Sequence, residues 1–124
     1  MKSIILTITT SSGGAATVNG TFTILGKVYA VLYKPGTIDT GATITVTTEG
    51  VCSKPILTKA SAGTADTMYY PRDLVHAVAD GSALTGSSGG DRCMPLANGT
   101  PRVVVASGGD SKVGSVVIYY EDES

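Results

Sequence analysis

The sequence predicts an all-β domain, a single antiparallel β-sandwich, and three observations carry that expectation. The composition is rich in turn and strand formers, with 16 Gly, abundant Ser and Thr, no Trp, a single Phe and only 15% charged residues. Turn signals recur at short intervals: 11–14 (SSGG), Asn19-Gly20, Pro35-Gly36, Glu49-Gly50, Ala62-Gly63, Asp80-Gly81, 87–90 (SSGG), Asn98-Gly99 and 107–110 (SGGD). Between them lie segments whose apolar residues alternate with a period of two. A chain of 124 residues fits one domain, and a domain of that size buries roughly two thirds of the surface its unfolded form exposes.

The elements follow in order. In the first, Ile4, Leu6 and Ile8 share one face, while Ser3, Ile5, Thr7 and Thr9 share the other. Lys2 and the short apolar run resemble the start of a leader peptide, but the threonines interrupt any apolar stretch of the needed length, so a strand is expected. The longest segment, 21–33, places Phe22, Ile24, Val28, Ala30 and Leu32 on one face and Leu25, Tyr29, Val31 and Tyr33 on the other. Both faces are apolar, and Gly26 marks the expected bulge or bend. Residues 42–48 alternate Ala42, Ile44 and Val46 against Thr43, Thr45 and Thr47, which predicts a half-exposed strand. Short strands are expected at 55–59 and 66–70, with Pro71 ending the ladder. Residues 72–79 fit a strand better than a helix, and 80–100 reads as a long ordered loop. Finally, 101–106 and 113–120 flank the turn 107–112 and read as a β-hairpin built into a core, with Val116, Ile118 and Tyr120 inward and Val117 and Tyr119 outward.

Composition and motifs exclude several kinds of chemistry. Net charge is −1, and the nine basic residues are scattered singly, so the electrostatic footprint of a nucleic-acid binder is missing. No stretch approaches the roughly 20 apolar residues of a membrane-spanning helix. Cys52 and Cys93 are 41 positions apart and match no zinc or redox spacing; two separate thiols are expected, with a disulfide as the alternative. His76, the single histidine, has Asp73 and Asp80 nearby but no further partner for a metal site or a triad. The glycine-rich segments lack the helix that phosphate cradling needs, and Asp91, Asp110, Glu121, Asp122 and Glu123 lack the spacing of a calcium loop. The last three read as a solvated tail. Asn19-Gly20-Thr21 and Asn98-Gly99-Thr100 satisfy the glycosylation sequon, but Asn-Gly is expected there as a two-residue hairpin turn. The expectation is a non-enzyme made in the cytoplasm, with no metal, no cofactor and no small-molecule substrate.

The six tyrosines fall into Tyr29 with Tyr33, Tyr69 with Tyr70, and Tyr119 with Tyr120. In the adjacent pairs, strand alternation sends one ring to each face, and outward rings with polar tips suit protein interfaces. The motif order also carries a resemblance. Tyr69-Tyr70-Pro71-Arg72, the small residues around Asp80-Gly81, then Pro95-Leu96 and residues 103–121 (VVVASGGDSKVGSVVIYYE) resemble a group of small tailed-bacteriophage virion structural proteins. The resemblance implies a jelly-roll-like β-sandwich present in many copies on the capsid surface of the virion, acting as a decoration or cement protein. Its implied partners are the major capsid protein and copies of itself, with a trimer expected. Neck, tail or fibre attachment to a host receptor or glycan is the alternative. No catalytic residue is implied, and Arg72 is expected to be fixed by a carboxylate or by carbonyls. The candidate interface is Tyr29, Tyr33, Tyr69, Tyr70, Arg72, Val117 and Tyr119.

Overall fold

The computed structural model describes residues 2–21, 23–50, 53–74 and 92–122, and no helix occurs among them. Ten strands follow in chain order: β1 (Lys2–Thr9), β2 (Ala16–Asn19), β3 (Ile24–Lys34), β4 (Thr43–Glu49), β5 (Lys54–Lys59), β6 (Thr67–Tyr69), β7 (Asp73–Leu74), β8 (Arg92–Cys93), β9 (Leu96–Ala106) and β10 (Val113–Asp122). Every pairing is antiparallel. The fold is all-β, as its composition and alternation predict.

The pairings nest. Leaving aside the two-residue strands β7 and β8, which pair with each other, β1 pairs with β10, β2 with β9, β3 with β6 and β4 with β5. This is one long antiparallel hairpin, first strand with last and so inward. It is rolled up by two further pairings, β10 with β3 and β9 with β4. The result is two layers, β1-β10-β3-β6 and β2-β9-β4-β5, joined where residues 96–99 of β9 pair with 24–27 of β3.

Alternation explains why the layers face each other. From the first layer Ile4, Leu6 and Ile8 of β1, Val116, Ile118 and Tyr120 of β10, and Val31 and Tyr33 of β3 turn inward; from the second come Ile44, Val46, Val103 and Val105. Each is buried, and burying such a side chain is worth about 1.5–3 kcal/mol. Ala16, Val18, Leu57 and Tyr69 close the margins of this core.

Four expectations are corrected. The strands at 101–106 and 113–120 exist, but they do not form a hairpin with each other: β9 pairs with β2, β3 and β4, whereas β10 pairs with β1 and β3. Their connection is an arch from one layer to the other. The bulge of β3 lies at Tyr29 and not at Gly26, because Tyr119 pairs with Ala30 while Tyr120 pairs with Val28. This extra residue inverts the alternation, so Val31 and Tyr33 face the core on the same side as Ile24 and Val28, and the two apolar faces read from a continuous strand do not exist as such. Neither Asn-Gly pair makes a two-residue hairpin. Asn19-Gly20 leads from β2 into the other layer, and Asn98-Gly99 lies within β9, where a Cβ on Gly99 would come within 2.5 Å of the Glu49 carbonyl oxygen. Glycine is needed there for close approach of two backbones. The loop expected over 80–100 gives way to strand at 92–93 and from 96 onward. Phe22, Cys52, residues 75–79 of the strand expected over 72–79 with its His76, and the turns at 80–81 and 87–90 lie outside the described residues.

The arch is pinned at one end of the sandwich. Thr10, at 3% exposure, donates its N–H to the Lys112 carbonyl at 2.8 Å, donates its Oγ1–H to the Gly109 carbonyl at 2.6 Å, and accepts the Lys112 N–H at 2.7 Å. Gly108 donates to the Gly14 carbonyl and accepts from the Asp39 N–H. Ser107 and Ser111 are held at positive φ (59° and 54°), a left-handed conformation that costs non-glycine residues of order 1 kcal/mol and persists where surrounding contacts over-determine it.

Replacing Thr10 by valine keeps its shape and leaves the Lys112 N–H and the Gly109 carbonyl without that hydroxyl. The expected loss is about 2 kcal/mol in urea unfolding, and Thr10→Ser should recover much of it. Gly99→Ala should cost about 1–3 kcal/mol in the same measurement, since backbone at the β9–β4 junction must move to admit a methyl group.

Candidate assembly surface

The two layers differ on their outward faces. In the first, Ile5 lies opposite Val117, Val117 opposite Leu32, and Leu32 opposite Met68. An apolar row therefore crosses four strands. Its outer members are open, Ile5 at 65% and Met68 at 38% exposure, whereas Val117 at the centre is shielded to 8%. The equivalent row of the second layer runs Thr17, Val104, Thr45 and Thr58. Beside it, Arg102 reaches Glu49 at 3.4 Å and donates to Asn19 Oδ1 at 2.8 Å, bridging β2, β9 and β4. The first layer thus carries one apolar row, flanked on the same face by Ser3 and by Thr7, Ser115 and Lys34, where the second layer has a row that is polar except for Val104.

At the β6 margin of the apolar row the bulge turns Tyr29 outward. Its ring meets Tyr70 edge to face, with centroids 6.0 Å apart and planes at 85°, an arrangement favoured by the ring quadrupoles. The Arg72 guanidinium carbon lies 5.6 Å from the Tyr29 ring centroid, within range of a cation–π contact. The same arginine donates Nη1 hydrogen bonds to the Tyr29 carbonyl at 2.8 Å and the Pro71 carbonyl at 2.6 Å. It is held by carbonyls, one of the two arrangements expected from the sequence. Tyr119 lies opposite Ala30, the residue after Tyr29.

Of the seven residues singled out from sequence, Tyr29, Tyr70, Arg72, Val117 and Tyr119 share the outward face of the first layer. Tyr33 and Tyr69 do not. Tyr33 is buried at 1% exposure and Tyr69 packs against the core, because the extra residue at Tyr29 reverses the phase of β3 and because Tyr69 sits in register with Val31. The residues that sequence reasoning missed are Ile5, Leu32 and Met68. Ile5 had a signal, as the one apolar residue on the polar face of β1; the other two become significant only once strand order aligns them.

The Tyr33 hydroxyl is buried and finds no hydrogen-bond partner among the described residues. Burial, and secondarily the neighbouring Tyr69, push its phenol above the usual tyrosine range. Among the described residues there is no pocket and no group of three metal-ligating side chains. Compared with protein-family models, with curated proteins and with solved structures, the chain matches none.

A phenol whose folded pKa is raised stays protonated in the folded state after the unfolded chain has begun to ionise. Its contribution is thus constant below about pH 10 and destabilises progressively above it. Tyr33→Phe removes both this penalty and the unpaired hydroxyl. Its unfolding free energy should equal or exceed that of the parent by about 1 kcal/mol at pH 7, and the advantage should widen above pH 10 in pH-dependent urea titrations.

Proposed function

We propose that the protein is a structural component of a tailed-phage particle, carried in many copies on the outer surface of the head as a decoration or cement protein. The observation that carries this reading is the apolar row Ile5–Val117–Leu32–Met68 with its Tyr29–Tyr70–Arg72 margin, where the second layer has a row that is polar except for Val104. Scattered exposed apolar residues are ordinary, but a row aligned across four strands and open at Ile5 and Met68 is the kind of feature that marks interaction sites. Covering the Ile5 side chain alone is worth up to about 2 kcal/mol, and symmetry repeats each modest contact around a shell.

The strand winding supports the same reading. A nested hairpin rolled into two four-stranded layers is consistent with a jelly roll, an architecture used by viral capsid and lectin domains. Fold alone does not assign a role; the outward face of the first layer does the discriminating. The proposed partner is the major capsid protein, and the apolar face of the first layer is the side that meets it.

Quantitative mass spectrometry of purified virions tests the proposal, which expects a copy number comparable to that of the capsid subunits. A count of only about 3 to 12 copies per particle would instead place the protein at a neck, tail or fibre. In co-sedimentation with empty head shells, Met68→Lys should weaken binding at least about tenfold, corresponding to about 1.4 kcal/mol. Thr45→Lys, on the polar face, should leave it unchanged.

A further inference from the structure

The free edges of the two layers are built differently. β5, at the margin of the second layer, carries Pro55, Lys59 and a register shift opposite Val46 and Thr47, features that discourage further strand pairing. β2 and β6 span four and three residues, too short to template much. β1 is different: eight residues, laddered on one side only among the described residues, with Lys2 at its end as its single charge and no proline or glycine. Its neighbour across that one ladder, β10, pairs with it without a break from Lys2 to Thr9. Among the described residues the edge is regular and long, β2 of the other layer lies near it without a ladder, and Ile5 stands 65% exposed upon it.

We propose that β1 pairs with β1 of a second copy of this chain, antiparallel, across a two-fold axis normal to the first layer and centred on Ile5. Such an axis keeps outward side chains outward in both copies, so the pairing must centre on a residue. Centring on Ile5 sets Lys2 against Ile8, Ser3 against Thr7 and Ile4 against Leu6 of the second copy. The lysines do not meet, hydroxyl faces hydroxyl, and the inward Ile4 and Leu6 continue a core-facing row. Ile5 meets Ile5, which shields the one large apolar side chain that β1 leaves open. Centring on Leu6 instead would put Ile5 against Thr7 and lose that contact. In the Ile5 register the apolar rows of the two copies join end to end, from Met68 of one to Met68 of the other.

The inference stands apart from the proposed function, since it needs no shell and is tested on the purified full chain. Sedimentation velocity should show a concentration-dependent monomer–dimer equilibrium, because edge pairing buries less area than a permanent interface. Ile5→Lys should raise the dissociation constant at least tenfold without lowering the melting temperature. Register is read by cross-linking. An equimolar mixture of Ser3→Cys and Thr7→Cys proteins, treated with a short thiol cross-linker and mapped by mass spectrometry, should yield the 3-to-7 linked pair. Ile5→Cys alone should link to itself. A monomer at all concentrations, a trimer, a dimer indifferent to Ile5→Lys, or 3-to-3 and 7-to-7 links in place of 3-to-7 would each overturn the proposal. Dimerisation without shell binding would support it while counting against the capsid role.

Discussion

The placement of β10 between β1 and β3 is the constraint on which the remainder of the fold depends. β1 has no other ladder among the described residues, so without β10 it would leave the layer. β3 would keep only short partners on its opposite side, the start of β9 and the three residues of β6. Both faces of the layer depend on this insertion. Inward, Ile118 aligns Ile4 with Val31; outward, Val117 aligns Ile5 with Leu32. The core and the apolar row are two readings of one register, and a one-residue slip would exchange them.

What holds that register is a small polar device and not the hydrophobic core alone. Apolar side chains on neighbouring strands are close in size and would tolerate several alignments, whereas backbone hydrogen bonds at the arch admit one. Thr10 closes three bonds to residues 109 and 112, one through its backbone N–H and two through its hydroxyl, immediately after β1 and immediately before β10. The left-handed serines on either side of Gly109 turn the chain sharply between layers. Their strain is offset by bonds from the segments at 11–15 and 35–42, so three connections are tied at one end of the sandwich.

Much of this was legible in the sequence, and the illegible part has a common cause. Alternation in residues 2–9, 42–48 and 113–120 identifies the inward residues, because the extra residue of each irregular pairing lies on the partner strand and leaves the phase of these segments unbroken. In β3 the same rule misplaced Val31 and Tyr33: a single extra residue, set by pairing with β10, reverses the phase, and nothing local to Tyr29 announces it. The composition of 107–112 announces a turn but not its kind, since Gly and Ser permit an arch as readily as a hairpin and only the loops they contact decide between them. Asn98-Gly99 shows the same limit. A residue pair suited to a tight turn serves instead where two backbones nearly touch. For the candidate surface, five of seven residues shared a face, whereas Leu32 and Met68 were hidden because they gain meaning from strands distant in sequence.

The nested winding also orders events in time. The first strand finds its partner only when the tenth has been made, so the outward row is assembled last, from segments nearly the whole described chain apart. Contacts of such separation form slowly, and a chain emerging in order from synthesis exposes Ile5, Leu32 and Met68 as scattered side chains and not as a patch. The outward apolar row is thus complete only once β10 has been placed between β1 and β3.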